Sequence, residues 1–140
     1  EELSAQELYE MGRKVEPFQI ASDTRMGHIH LSVRDSRVAS AFYQKVLELS
    51  DKFTIPSASW IASGDYHHHL AVNEWAGKHL AKRESQLPGL AYYVIQVEKK
   101  EDLVAIAERA KEQEAAVTWL TSSELEFTDP DGIVTRVRKG

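Results

Sequence analysis

The chain has 140 residues, 42% of them apolar and 28% charged, which fits one globular domain with one core and not a disordered segment. Its 22 acidic residues outnumber its 17 basic residues, and the basic residues are scattered along the chain, so nucleic acid is not an expected partner. The absence of cysteine excludes disulfides, zinc ribbons and thiol catalysis, and no apolar run is long enough to predict a membrane span.

The N-terminal 25 residues predict a short capped helix followed by a linker. Ser4 is followed three residues later by Glu7, the spacing of a capping box, and the helix is expected to end near Met11. Residues 13–25 show no clear hydrophobic period and predict a linker. The compact domain is therefore expected over residues 26–140.

The first residue of the chain is Glu1 and not Met, which leads us to expect a fragment or a processed piece. No basic and then apolar leader precedes the domain, so the cytoplasm is the expected location.

The next segment, residues 26–75, predicts a strand, a helix and three further strands. Apolar residues recur at helical spacing after the first strand, at Val38, Phe42, Val46 and Leu49. The predicted strands are 28–33, 52–55, 59–63 and 68–72.

The second half of the domain, residues 88–138, repeats this order. Its helix, over about 100–114, has an apolar stripe at Leu103, Ile106, Ala107 and Ala110. Its predicted strands are 90–97, 116–120, 124–128 and 133–137. The repeat predicts an α+β fold of two βαβββ units that pack against each other.

The segment GDYHHHL, residues 64–70, holds three of the six histidines of the chain. If it were a strand, His67 and His69 would point to one face and His68 to the other, so at most two of them could serve one site. The alternative interpretation is a polar strand end without a function.

Five segments together resemble one family. They are GHIHLSVRD, AFYQKVLEL, GDYHHHLAVNEW, LAYYVIQVE and FTDPDGIVTRV. They look like the vicinal oxygen chelate superfamily, which contains glyoxalase I, bleomycin resistance proteins and extradiol dioxygenases. The resemblance covers about residues 26–138, and it is strongest to the C-terminal half of two-domain proteins of the catechol-2,3-dioxygenase type.

The resemblance implies that the two units form an open β-cup with the helices outside and a metal, Fe(II) or Mn(II), inside. The family pattern of two histidines and one carboxylate leaves open positions at which two neighbouring substrate oxygens bind. The first ligand position falls on His28, whereas the other two fall on Tyr92 and Arg136. A fixed positive charge at Arg136 repels a divalent cation, and only His28 and one histidine of the triple run remain as ligands. We therefore expect the isolated chain to bind metal weakly at best, or none, and to be inactive.

The resemblance also implies an acid/base histidine in the triple run. Spacing to Leu70 assigns the role to His68, whereas spacing to Asn73 assigns it to His69, and the sequence leaves both open. A histidine near its ordinary pKa of about 6.5 can accept a catechol proton.

Three further residues are candidates for substrate binding, namely His30, Tyr92 and Asn73. Two of them have a structural alternative. His30 is equally well interpreted as a hydrogen-bonded neighbour of the site, and Tyr92 as part of the core or of the cup lining.

Three functions from different classes remain. The first, which we favour, is the C-terminal domain of an extradiol dioxygenase whose N-terminal half supplies the missing ligands and whose substrate is a small aromatic diol. The second is a metal-free small-ligand-binding module of the bleomycin-resistance type, which includes the possibility of a homo-oligomer. The third is a non-catalytic scaffold domain.

Overall fold

The computed structural model describes residues 4–12, 19–77, 80–82, 84 and 86–140. The predicted N-terminal helix is α1, Ala5–Met11, and the Oγ of Ser4 accepts a hydrogen bond from the backbone N–H of Glu7. Over the described residues, none of the helices has both the length and the apolar character that crossing a bilayer requires.

The first unit forms a four-stranded sheet with one helix. Its elements are β1 (Ile29–Ser32), α2 (Ser36–Leu47), β2 (Ser50–Ile55), β3 (Ala58–Ala62) and β4 (Leu70–Asn73). The strand order is β1-β4-β3-β2, in which β1 and β4 are parallel and the other pairs antiparallel. Asp35 begins α2 because its carboxylate accepts hydrogen bonds from the backbone N–H groups of Arg37 and Val38.

The second unit repeats this topology. Its elements are β5 (Tyr93–Val97), α3 (Lys100–Glu112), β6 (Val117–Thr121), β7 (Glu124–Thr128) and β8 (Val134–Lys139). The strand order is β5-β8-β7-β6, again with one parallel pair. The predicted α+β class, with two four-stranded sheets and the helices outside, is confirmed.

The helices bury one face of each sheet and leave the other face open. The stripe predicted for α3 is buried at all four positions. The stripe predicted for α2 was wrong at Val38, which is 53% exposed, because the buried face runs through Ala39, Phe42, Tyr43 and Val46. One hydrophobic core combines residues of both units, so neither unit has a core of its own.

The DPDG turn, residues 129–132, joins the second unit to the first. The Tyr43 hydroxyl donates a 2.7 Å hydrogen bond to Oδ2 of the buried Asp129, whose Oδ1 accepts from the N–H groups of Asp131 and Ile133. Asp131 in turn forms a 2.8 Å ion pair with Arg34 at the end of β1. The motif thus fixes the first unit against the second.

Candidate functional site

The triple histidine run lies in the loop between β3 and β4. The backbone N–H of His69 bonds to the carbonyl of Ile61, and its carbonyl accepts from the N–H of Ile29, both at 3.0 Å. Gly64 begins the loop with φ of +60°, a conformation that favours glycine. The expected strand alternation of the three histidines was therefore wrong, because β4 begins only at Leu70.

Four histidines meet at the open face of the first sheet, and we call His28, His30, His67 and His68 the histidine cluster. Each of His28, His67 and His68 offers a ring nitrogen within 4.8 Å of the others. The Nε2 atoms of His30 and His68 are 3.2 Å apart, so one ring donates a hydrogen bond to the other. The two rings nearest to each other are those of His28 and His68, with centroids 4.2 Å apart.

His69 is directed away from the histidine cluster. Its Nδ1 accepts a hydrogen bond from the backbone N–H of Ser63 at 3.2 Å, and its ring stacks on Tyr66 with centroids 4.7 Å apart. Of the two acid/base candidates, only His68 lies beside His28.

Burial and neighbouring histidines favour the neutral form of His68. Partial burial, followed by the repulsion of positive charge on His28 and His67, lowers its pKa from 6.5 to about 4. The pKa of His69 is lowered as well, by burial and then by His67. At neutral pH the His68 ring is thus an acceptor for a proton or a ligand for a metal.

Tyr92 and Arg136 belong to the second unit, where Tyr92 directly precedes β5 and Arg136 lies in β8. The Arg136 guanidinium sits 3.8 Å from the centroid of the Tyr92 ring, and its Nε forms a 3.1 Å ion pair with Glu126. At the two positions where metal ligands were expected, the Arg136 cation thus stacks on the Tyr92 ring, and the Glu126 carboxylate stabilises the cation.

Asn73, the remaining substrate-binding candidate, is buried at the end of β4. Its Oδ1 accepts a 3.2 Å hydrogen bond from the backbone N–H of Trp75. In this structure Asn73 holds the turn that carries Trp75.

The sequence analysis missed a group of aromatic side chains beside the histidines. Ring centroids are 5.4 Å apart for Phe53 and Trp60, 6.3 Å for Trp60 and Trp75, and 6.3 Å for Trp75 and His30. The available signal was the alternation in β3, where Ser59 and Ile61 are buried on the helix side and Trp60 faces the other way.

The donor atoms of the histidine cluster suit a metal that prefers nitrogen ligands. They differ from the expected set of two histidines and one carboxylate. Among the described residues the candidate group consists of three imidazoles and no carboxylate. Imidazole suits iron, zinc, nickel and copper, whereas manganese prefers oxygen ligands. Where the sequence left two candidate ligands in this chain, the structure brings three imidazoles within reach of one ion, because His67 and His68 face the same side.

Comparisons with known proteins agree with this fold. A catechol-2,3-dioxygenase of Bacillus subtilis (strain 168) is 37% identical over 94 residues, which are 66% of this chain and 33% of that protein. The match thus spans about a third of the length of this relative.

Solved structures match over most of their own length. A glyoxylase/bleomycin resistance protein/dioxygenase domain from Frankia sp. EAN1pec has a TM-score of 0.67 at 22% identity, covering 85% of this chain and 99% of that one. A lactoylglutathione lyase from Agrobacterium tumefaciens has a TM-score of 0.61 at 18% identity, covering 86% and 96% respectively. The family model described as Glyoxalase/Bleomycin resistance protein/Dioxygenase superfamily matches residues 25–137. With four fifths of its length matched, the chain belongs to this superfamily.

Proposed function

We propose that this chain is one half of an extradiol dioxygenase and contributes one wall of its active site. The observation that carries the proposal is the placement of His28 and His68 side by side on the open face of the first sheet, 4.2 Å between ring centroids. The name of the Bacillus subtilis relative, a catechol-2,3-dioxygenase, supports a ring-cleaving reaction on an aromatic diol.

In this proposal the two histidines have separate roles. His28 binds the metal, Fe(II) or Mn(II), and a bound metal would supply the coordination of two neighbouring substrate oxygens. His68, neutral at pH 7, accepts a hydroxyl proton of the diol and returns it later. His30 shares a hydrogen bond with His68 that couples the tautomers of the two rings, since only one of the two Nε2 atoms carries the shared proton.

The remaining metal ligands come from another unit. A second histidine and a carboxylate would complete the family pattern, but the corresponding residues here are Tyr92 and Arg136, in the second unit. We propose that the N-terminal half of the intact protein supplies them, and that its sheet closes the cup over the histidine cluster.

The test is reconstitution. The separately expressed N-terminal half is added to this chain, Fe(II) is loaded under anaerobic conditions, and catechol cleavage is followed after oxygen is admitted. We expect activity in the mixture and none in either half. An N-terminal half that is fully active alone, or a mixture that binds Fe(II) but cleaves no catechol, would refute the proposal.

A second candidate is a homo-oligomeric ligand-binding module of the same superfamily. The ion pair of Arg136 with Glu126 and its contact with Tyr92 favour it for the second sheet, because among the described residues these side chains stand where the metal ligands were expected. Tight binding of a small ligand by a dimer of this chain, without turnover, would support this candidate.

A further inference from the structure

Aromatic side chains form a row across the open face of the first sheet. The register pairs Phe53 with Trp60, Trp60 with Ala71, and Ala71 with His30, so these four residues lie side by side on β2, β3, β4 and β1. Residues directly opposite each other on neighbouring strands share a face. The row therefore runs from Phe53 to the histidine cluster.

The row has a gap at Ala71, which carries only a methyl group. The Trp75 ring lies 6.3 Å from both Trp60 and His30, and Ala71 beneath it is only 1% exposed, so Trp75 covers this part of the row. Trp75 thus continues the aromatic surface from Trp60 to His30.

Trp75 is exposed although its backbone is firmly held. It remains 60% exposed, yet its N–H bonds to Asn73 and the preceding residue, Glu74, is fixed on both sides. The N–H of Glu74 bonds to the carbonyl of Ser57, and its carboxylate accepts from the N–H and hydroxyl of Ser36. An exposed indole held in one place is a feature of binding surfaces and adds little to a core.

The second sheet provides an internal comparison, because it has the same topology. The residues at the corresponding positions of its row are Val94, Arg136, Glu126 and Thr118. There an ion pair occupies the place of Ala71 and Trp60. The aromatic row is therefore not a requirement of the βαβββ fold, and it occurs on the sheet that carries the histidine cluster.

We propose that the exposed surface of Trp75 binds the flat ring of a small aromatic molecule by stacking, with one edge of the ring towards His30. The indole is apolar and uncharged, and it adjoins the histidine cluster, the combination that orients a ring with polar substituents on one edge. That the ring is the diol substrate rests on the proposed function, whereas the stacking itself needs neither metal nor turnover.

The test uses this chain without metal, in the presence of a chelator, and two probes. Catechol and cyclohexane-1,2-diol both carry neighbouring hydroxyl groups, but only catechol has an aromatic ring. Binding is measured by saturation-transfer NMR and by tryptophan fluorescence. We expect saturable binding of catechol and binding of cyclohexane-1,2-diol that is weaker by about tenfold, the effect of one ring stacking.

Substitutions of single tryptophans test where the catechol ring binds. We expect Trp75→Ala to weaken catechol binding by about tenfold and Trp75→Phe to restore most of it. Trp119→Ala is the matched control, because Trp119 is also exposed, at 41%, but lies on the second sheet. Circular dichroism checks that each variant is folded.

Three results would overturn the stacking proposal. They are equal binding of the two diols, unchanged catechol binding by Trp75→Ala, and a chain that sediments as a dimer through Trp75 and binds no catechol. The last result would identify the row as a protein interface. Catechol binding that depends on Trp75 in a chain that fails reconstitution would instead refute only the proposed dioxygenase function.

Discussion

The side chains of the histidine run differ in role because the loop turns them to different sides. His67 and His68 join His28, whereas His69 bonds to the N–H of Ser63. We expect Ni(II) or Zn(II) to bind the chain through three imidazoles, and His28→Ala and His67→Ala each to lower the affinity by about tenfold or more.

His69→Ala is the matched control for this metal titration, because it removes a neighbouring imidazole that faces away. Isothermal calorimetry with each variant measures the affinities. Manganese should bind more weakly than nickel, since the group has no carboxylate. If His69→Ala lowered the affinity as much as His67→Ala, the metal would lie elsewhere in the loop.

His68 should also make the stability of the chain depend on pH. Its pKa is about 4 in the folded chain and about 6.5 when unfolded, so between these values the unfolded state binds more protons. The contribution of the neutral His68 ring to the free energy of unfolding is therefore complete above pH 6.5 and is lost as the pH falls towards 4.

Urea unfolding at several pH values, with wild type and His68→Asn, measures this dependence. We expect the free energy of unfolding of the wild type to fall more steeply between pH 6.5 and pH 4 than that of the variant. Equal slopes would mean that His68 is as easily protonated in the folded chain as in the unfolded one.

At the scale of elements, helix α2 of the first unit also packs against the second unit. Its Phe42 is buried and lies near Phe127 of β7, with ring centroids 5.9 Å apart. Phe42→Ala should destabilise the protein by about 3–5 kcal/mol, the usual cost of removing a buried phenylalanine. Phe53→Ala, a control on the open face at 59% exposure, should cost less than about 1 kcal/mol.

Chemical denaturation with both variants measures this difference. The opposite order of the two effects would mean that the open face, and not the helix side of the sheets, is the core of the molecule.

Most elements could be predicted from the sequence because their hydrophobic periods were strong. Strand β7 was predicted with its observed bounds, and the stripe of α3 at all four positions. The predicted strand over 68–72 was wrong at residues 68–69, since identical polar residues have no period and the loop is fixed by hydrogen bonds of His69 to Ile61 and Ile29. His28 was found through the family pattern, whereas Trp75 lies in a turn, and its position depends on tertiary contacts of Glu74 and Asn73.

At the scale of the whole molecule, the core shared by both units determines which faces of the two sheets remain exposed. The two helices contact each other, and Tyr43, Arg34 and the DPDG turn join the units on the helix side. These contacts therefore do not place the second sheet over the open face of the first. A sheet from another unit would therefore find this face free to close over, which is the physical basis of the shared site that we propose.

This arrangement makes a prediction about charge. In a shared site Arg136 lies in a different cup from the metal, so its positive charge does not repel the ion. In the reconstituted mixture, Arg136→Ala should leave catechol cleavage within about twofold of wild type, whereas His28→Ala should lower it by at least about a hundredfold. Cleavage rates at saturating Fe(II) and circular dichroism of both variants provide the measurement. If Arg136→Ala raised the affinity for Fe(II), or if activity survived His28→Ala, the metal would be held by the second sheet and the cup would not be shared.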